Sequence, residues 1–163
     1  MRASIPTNVV DNSYTVFPEG FYTGALSSAE VRDPKSDGSW LLLRVGLDTI
    51  TPNDGTADPG RESFRGDITI SSDGHDLREI TDFSSKEIPF GVVRSAGLLA
   101  GIAEALGVAT RENGQVDVDL RQVVEALAEG NFAGERVAFE VTHYKPKNSD
   151  KIYEQFNRFG AAV

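Results

Sequence analysis

The stretch that decides the fold runs from Arg136 to Ala161 and reads RVAFEVTHYK-PKNSD-KIYEQFNRFGA. Two runs rich in β-forming residues flank a short polar turn, which is the pattern of a β-hairpin. In the first run, the apolar side chains of Val137, Phe139 and Val141 alternate with polar ones. Because successive side chains point to opposite faces of a strand, we expect one face of this hairpin to be buried and the other to be exposed.

The hairpin also differs from the rest of the chain in charge. From His143 to Val163 there are four basic and two acidic residues, a net charge of +2, whereas the other 142 residues hold 12 of the 16 basic and 23 of the 25 acidic residues, a net charge of −11. The overall charge of −9 argues against binding to duplex DNA by broad charge neutralisation. Salt confines exposed charges to about 10 Å, so a basic strip can act separately. The hairpin is therefore either a binding element for an anionic ligand or an ordinary solvated hairpin.

Length and composition favour one globular domain. A chain of 163 residues with 39% hydrophobic and 25% charged residues can bury a core of its own. The absence of cysteine excludes disulfides and thiolate metal sites. The sequence contains no apolar run of the roughly 18 residues that a membrane helix needs, and its N-terminus lacks the apolar core of a signal peptide. We expect a cytoplasmic protein that does not bind membranes.

Three strands are predicted before the hairpin, and they form a meander. They follow an N-terminal arm over residues 1–17 and span Phe21–Val31, Ser39–Thr51 and Glu62–Ser71. Alternation in the second strand predicts a core face and an outward face. The third strand shows the same pattern around Gly66. The predicted core residues are Leu41, Leu43, Val45, Leu47, Phe64, Ile68 and Ile70, and the outward residues include Trp40, Arg44 and Arg65.

Two helices are predicted between the third strand and the hairpin, within an insertion of about residues 89–130. The first spans Phe90–Leu106 and ends at Gly107, with Val93, Leu98, Ile102 and Leu106 recurring near helical spacing. The second spans Leu120–Ala128 behind an N-cap at Asp119, with Leu120, Val123, Val124 and Leu127 on one side. Five strands with a helical insertion between the third and fourth are typical of an OB-fold, a partly open Greek-key barrel. We therefore predict a mainly β (α+β) fold, with residues 18–163 forming a single five-stranded OB-like barrel.

Several motifs, in their order and spacing, resemble those of small phage-encoded single-stranded-DNA-binding-like proteins of replication and recombination modules. The matching motifs are PEGFY at 18–22, KSDGSWLLL at 35–43, PGRESF at 59–64, EALGV at 104–108, FAGERV at 132–137 and the last strand, 153–159. The resemblance covers roughly residues 17–160. It implies an OB-like fold, single-stranded DNA as ligand, a phage recombinase, annealing protein or polymerase as partner, and a location in the host cytoplasm. The chain departs from many such proteins in ending FGAAV instead of in an acidic tip.

Candidate binding residues follow from how single strands are held, by aromatic rings that stack on bases and cations that follow the phosphates. Trp40, the only tryptophan, either stacks on a base, shields the barrel mouth or packs under the 52–60 loop. The candidate nucleic-acid-binding residues are Trp40, Arg44, Arg61, Arg65, Tyr144, Lys145, Lys147, Lys151, Tyr153 and Arg158.

The sequence presents no convincing catalytic set, so we expect neither an enzyme nor a cofactor. The segment from Asp73 to Asp76 has potential metal ligands, but a zinc site needs about four, and the only histidine outside it is His143. We interpret the segment as an acidic loop. The alternative to DNA binding is a phage virion or protein-interaction module with a β-barrel fold and no nucleic-acid binding. The sequence leaves a homodimer open.

Overall fold

Five long strands and one short strand form the main sheet of the protein. A computed structural model describes residues 1–5 and 16–162. The strands are β1 (Gly20–Arg32), β2 (Trp40–Pro52), β3 (Phe64–Ser72), β4 (His75–Asp76), β7 (Arg136–Tyr144) and β8 (Tyr153–Ala161). All neighbours are antiparallel, in the order β4-β3-β2-β1-β7-β8. The predicted meander and C-terminal hairpin are thus confirmed.

The predicted alternation sets the faces of β2 and β3. Val45 lies opposite Gly66, and Leu43 lies opposite Ile68, on the buried face. All the predicted core residues of these two strands are buried except Leu41, which is half-buried. The register slips by one residue between Leu41 and Leu42, where β3 carries the extra residue Ile70.

The sheet curls into an open half-barrel of six strands, so the prediction of a five-stranded barrel was wrong in strand number and in closure. β8 approaches β3 closely enough that the ring of Phe156 lies against Gly66, but the two strands are not hydrogen-bonded neighbours. A helix covers the gap. Arg94 donates to the Phe156 carbonyl of β8, and the Thr69 amide of β3 donates to Ser95 Oγ at 3.0 Å. These side chains satisfy strand-edge groups that a closed barrel would pair with each other.

Two helices and a small hairpin connect β4 to β7. They are α1 (Phe90–Ala105), β5 (Thr110–Glu112), β6 (Gln115–Asp117) and α2 (Leu120–Ala128). The predicted end of α1 is confirmed, because Gly107 has a φ of 74° and the following amide donates to Ala103. Asp119 caps α2 by accepting from the Gln122 amide at 3.2 Å. Neither helix within the described ranges is long and apolar enough to cross a membrane.

Aromatic side chains dominate the core between the sheet and the helices. The ring centroid of Phe64 lies 5.1 Å from that of Phe17 and 5.0 Å from that of Phe156. Phe17, the last residue of the predicted N-terminal arm, is fully buried. Most of that arm, residues 6–15, lies outside the described residues. All four predicted core residues of α2 are buried, whereas in α1 Leu98 and Ile102 are buried but Val93 and Leu106 are only half-buried.

Candidate nucleic-acid interface

The outward faces of β2 and β3 and the root of the β7–β8 hairpin border a groove of about 680 Å³. We call it the central groove. Trp40 and Arg44 reach it from β2, Arg65 from β3, and Tyr144 and Tyr153 from the two arms of the hairpin. Five of the ten candidate residues therefore meet at one place. Strand alternation places Trp40, Arg44 and Arg65 on the outer face of the sheet. The hairpin register places the two tyrosines opposite each other.

Three aromatic rings in this groove are accessible to solvent. Trp40 is 36% exposed, Tyr144 53% and Tyr153 44%. The aromatic rings of the core are, by contrast, at most 8% exposed. Exposed rings that line one groove form a surface on which flat apolar groups such as nucleobases can stack.

The two arginines of the central groove differ in their partners. Arg44 Nε lies 2.9 Å and its Nη2 3.2 Å from the two carboxylate oxygens of Asp67, and this pairing raises the pKa of Arg44. Arg65 is exposed and forms no ion pair with any other residue in the described part of the chain. Of the two arginines that line the central groove, Arg65 is therefore the one with no carboxylate partner among the described residues.

A second hollow, of about 430 Å³, continues the central groove beyond Tyr153. We call it the distal hollow. It shares Arg65, Tyr153 and Glu154 with the central groove and adds Arg61 and Lys151. The ammonium of Lys151 lies 5.1 Å from the centroid of the Tyr153 ring, within the range of a cation–π contact. Seven of the ten candidate residues thus line one continuous surface.

A third hollow, of about 420 Å³, meets the central groove at Trp40. It is bordered by Lys35 from the β1–β2 turn and by the β3–β4 turn at Asp73 and Gly74. Sequence reasoning missed Lys35 as a candidate. The sequence could have indicated Lys35 as a candidate binding residue, because Lys35 lies in the turn that leads directly into Trp40.

Charge in these hollows differs from that of the whole protein. The charged residues that line the central groove and the distal hollow are four cations and two carboxylates. The cations are Arg44, Arg61, Arg65 and Lys151, and the carboxylates are Asp67 and Glu154. The net charge of +2 at this surface contrasts with −9 for the chain, so the excess of acidic residues lies on other parts of the protein.

Three candidate residues lie outside these hollows. Lys145 and Lys147 are exposed on the turn beside Pro146, which does line the central groove. Arg158 donates to Glu140 at 3.0 Å, and its guanidinium lies 5.7 Å from the ring centroid of Phe21 on β1. The structure therefore places the two lysines next to the groove and does not bring Arg158 to it.

The Asp73–Asp76 segment forms the β3–β4 connection. Asp73 and Gly74 have φ values of 50° and 78°, as in the two-residue turns favoured by β-hairpins. Asp76 binds Arg78 at 2.7 Å. Burial alone would raise the pKa of Asp76, but hydrogen bonds and charge from Arg78 outweigh it and hold that pKa below its usual range. Among the described residues, no three potential ligands come together as a metal site.

No protein-family model matches the sequence, and no curated protein shows significant similarity to it.

Proposed function

We propose that this protein binds single-stranded DNA along the central groove and the distal hollow, and that it acts in phage DNA replication or recombination. One observation carries the proposal: Trp40, Tyr144 and Tyr153 line a single groove whose charged residues, with those of the distal hollow, are net positive on an acidic protein. Stacking and local cations are the two elements that single-strand binding requires.

The energetics favour stacking as the main source of affinity. Stacking of a base on an aromatic side chain contributes about 1–3 kcal/mol, so three rings can hold a strand without extensive charge neutralisation. This suits a surface where only two of the four cations, Arg65 and Lys151, have no carboxylate partner among the described residues. It also suits an acidic protein, because the bases of duplex DNA are not accessible for stacking and binding to a duplex would depend on charge.

The strand order supports the same proposal. Without the two-residue β4, the sheet has the order β3-β2-β1-β7-β8, with the helices between β3 and β7 and with β8 curling back toward β3. An OB-like barrel that is opened between its third and fifth strands has this order, with β3 as the third strand and β8 as the fifth. In OB-folds, the face of the second and third strands and the adjoining loops bind oligonucleotides. The central groove has that position. The phage context rests on the resemblance of the sequence motifs.

A second candidate function is a protein-interaction module without nucleic-acid binding. The observation that favours it is that Arg44, Arg61 and Arg158 are each already bound to a carboxylate. A phosphate would have to displace those carboxylates, whereas a protein partner could use the groove as an apolar and polar surface.

Fluorescence of Trp40 separates the two functions, because it is the only tryptophan and it lines the groove. Titration with oligo-dT at low salt should quench its emission and raise the anisotropy of a labelled oligonucleotide. Binding should weaken as salt rises, because cations are displaced from the phosphates. The absence of quenching and of any anisotropy change at micromolar protein would remove the proposed function and favour the interaction module. Duplex DNA of matched sequence is the control, and it should compete poorly.

A further inference from the structure

A separate groove, of about 1150 Å³, lies on the helical side of the protein. We call it the helical groove. The loop before α1, one side of α1, the β5–β6 hairpin and the beginning of α2 enclose it. It shares no lining residue with the central groove or the distal hollow, so it does not belong to the proposed DNA site.

The floor of the helical groove is a stripe of small and apolar residues on α1. Val93, Ala96, Gly97 and Ala100 follow the spacing that brings side chains to one side of a helix. Gly97 is exposed, and a Cβ built there would meet no atom within 4 Å. Because these side chains are short, another segment can approach the α1 backbone closely. This also explains why Val93, predicted as core, is only half-buried.

Apolar side chains form the two walls. Ile80 and Phe83 come from the loop before α1, and Val116 and Val118 come from the β5–β6 hairpin and the segment after it. All four are half-buried, so each keeps apolar surface in contact with solvent. The walls of the helical groove therefore present apolar surface to solvent, and burying that surface would favour binding of an apolar ligand face.

The rim of the helical groove is acidic. Asp82, Glu112, Asp117 and Asp119 line it, are exposed, and form no ion pair among the described residues. Asp82 accepts from Ser84 and Asp119 caps α2, but those neutral donors leave both negative charges in place. The one cation in the described lining, Arg78, is already bound to Asp76 at 2.7 Å.

We propose that the helical groove docks a basic amphipathic helix of a partner protein. Its apolar face would lie on the α1 stripe between the two walls, and its lysines or arginines would meet the four rim carboxylates. Helix-in-groove binding uses this arrangement, with apolar anchors on one side of the incoming helix. The small residues of α1 permit the interaxial distance of about 8–10 Å at which helices pack. This docking does not depend on the proposed DNA binding.

Two glycines of α1 provide a matched test. Gly97→Leu would project a side chain into the helical groove, whereas Gly91→Leu would project one from the first turn of the same helix, outside the groove. At both positions a Cβ meets no atom within 4 Å, so a side chain can leave the helix there without a clash at its first carbon, and both changes improve helix propensity. The probe is a fluorescent peptide of about 15 residues, with leucine at i, i+3, i+4 and i+7 and lysine between them. A peptide of the same composition in scrambled order controls for charge alone.

The peptide should bind the wild-type protein and the Gly91→Leu variant equally, and the Gly97→Leu variant at least about tenfold more weakly, measured by anisotropy. Asp82→Asn with Asp117→Asn should weaken binding and reduce its salt dependence. Circular dichroism and the Trp40 response to oligo-dT should be the same in both leucine variants. The proposal is overturned if the peptide does not bind at micromolar protein, if the scrambled peptide binds equally well, or if Gly97→Leu has no effect. It is also overturned if the wild-type protein self-associates and Gly97→Leu abolishes this, because a second copy would then occupy the groove.

Discussion

Glu154 holds Arg61 through both carboxylate oxygens, which lie 2.9 and 2.8 Å from the same guanidinium nitrogen. Glu154 also lines both the central groove and the distal hollow. Its carboxylate therefore occupies a position at which a phosphate of a bound strand would meet Arg61. An incoming phosphate must displace Glu154 or leave Arg61 unused.

Glu154→Gln should strengthen binding to single-stranded DNA. The amide keeps the shape of the side chain but removes the charge that competes for Arg61. Affinity should rise several-fold, and the salt dependence should steepen by about 0.7 if Arg61 then takes one phosphate. Anisotropy of labelled oligo-dT across a salt series measures both quantities.

Glu140→Gln is the matched control for that change. It removes the same charge from the carboxylate that binds Arg158, which lies outside the grooves. We expect it to leave affinity and salt slope near the wild-type values, apart from a small effect of net charge. If both glutamine variants bind equally, the position of Glu154 in the groove has no specific importance.

Trp40→Ala should weaken binding without changing its salt dependence. Loss of one stacking ring should cost about 1–3 kcal/mol, which is roughly 5- to 150-fold in affinity. The salt slope should be unchanged because stacking releases no counterions. Phe21→Ala removes another exposed aromatic ring, on β1 and outside the three hollows, and should leave affinity unchanged. A slope that flattens with Trp40→Ala would indicate that the ring positions a cation instead of a base.

Lys145→Glu combined with Lys147→Glu tests the tip of the hairpin. Both lysines are exposed beside the turn, so the fold should be retained. If each meets a phosphate, the salt slope should flatten by about 1.4 and affinity should fall strongly. Lys86→Glu with Arg136→Glu reverses as many charges at exposed positions outside the three hollows and serves as the control. Equal losses in the two double variants would show an effect of net charge alone.

The alternation of apolar and polar residues in the strands predicted more of the structure than any other feature of the sequence. It placed Val45 and Ile68 in the core and Trp40, Arg44 and Arg65 on the opposite face, because strand periodicity is a local property. The hairpin pattern likewise brought Tyr144 and Tyr153 together across one turn. These local rules placed Trp40 on the outer face and paired the two tyrosines, whereas the curl of the sheet brings all three rings to one groove.

The open sheet and the ion pairs could not be predicted in this way. The gap between β3 and β8 is covered by Arg94 and Ser95, whose contacts depend on where α1 packs in three dimensions. Arg61 and Glu154 are 93 residues apart, so their pairing has no local signal. The short β4 was missed for another reason, since two residues are too few to show a period, although the Asp73–Gly74 turn was present in the sequence.

Gly66→Ala should destabilise the protein, because β8 packs directly on this position. A Cβ at Gly66 would lie 2.6 Å from Cδ2 of Phe156, and that ring is itself fixed among Phe64, Phe139 and Phe159. Overpacking of this kind typically costs about 1–3 kcal/mol of unfolding free energy, which urea denaturation would detect. Gly97→Ala, where a Cβ meets open space, should be neutral or stabilise by up to about 1 kcal/mol. An unchanged urea midpoint for Gly66→Ala would show that β8 can move away from β3.

Tyr22 should make the protein less stable at alkaline pH. Its hydroxyl donates to the Pro18 carbonyl at 2.6 Å, and burial, with the charges of Glu154 and Asp58, raises the pKa of Tyr22 to about 12. An unfolded tyrosine has a pKa of about 10, so between about pH 10 and pH 12 the unfolded chain loses this proton while the folded protein keeps it. The folded state then binds more protons, and the free energy of unfolding falls as pH rises.

Comparison with Tyr22→Phe isolates this contribution. At neutral pH the variant should be less stable by about 1 kcal/mol, because it lacks the hydrogen bond to Pro18. From about pH 10 to pH 12 the wild type should lose roughly 2–3 kcal/mol more than the variant, so their difference should shrink and reverse. Urea midpoints of both proteins across this range give the result. Parallel curves would mean that Tyr22 titrates alike in the folded and unfolded states, and that neither its burial nor the carboxylates of Glu154 and Asp58 affect its proton.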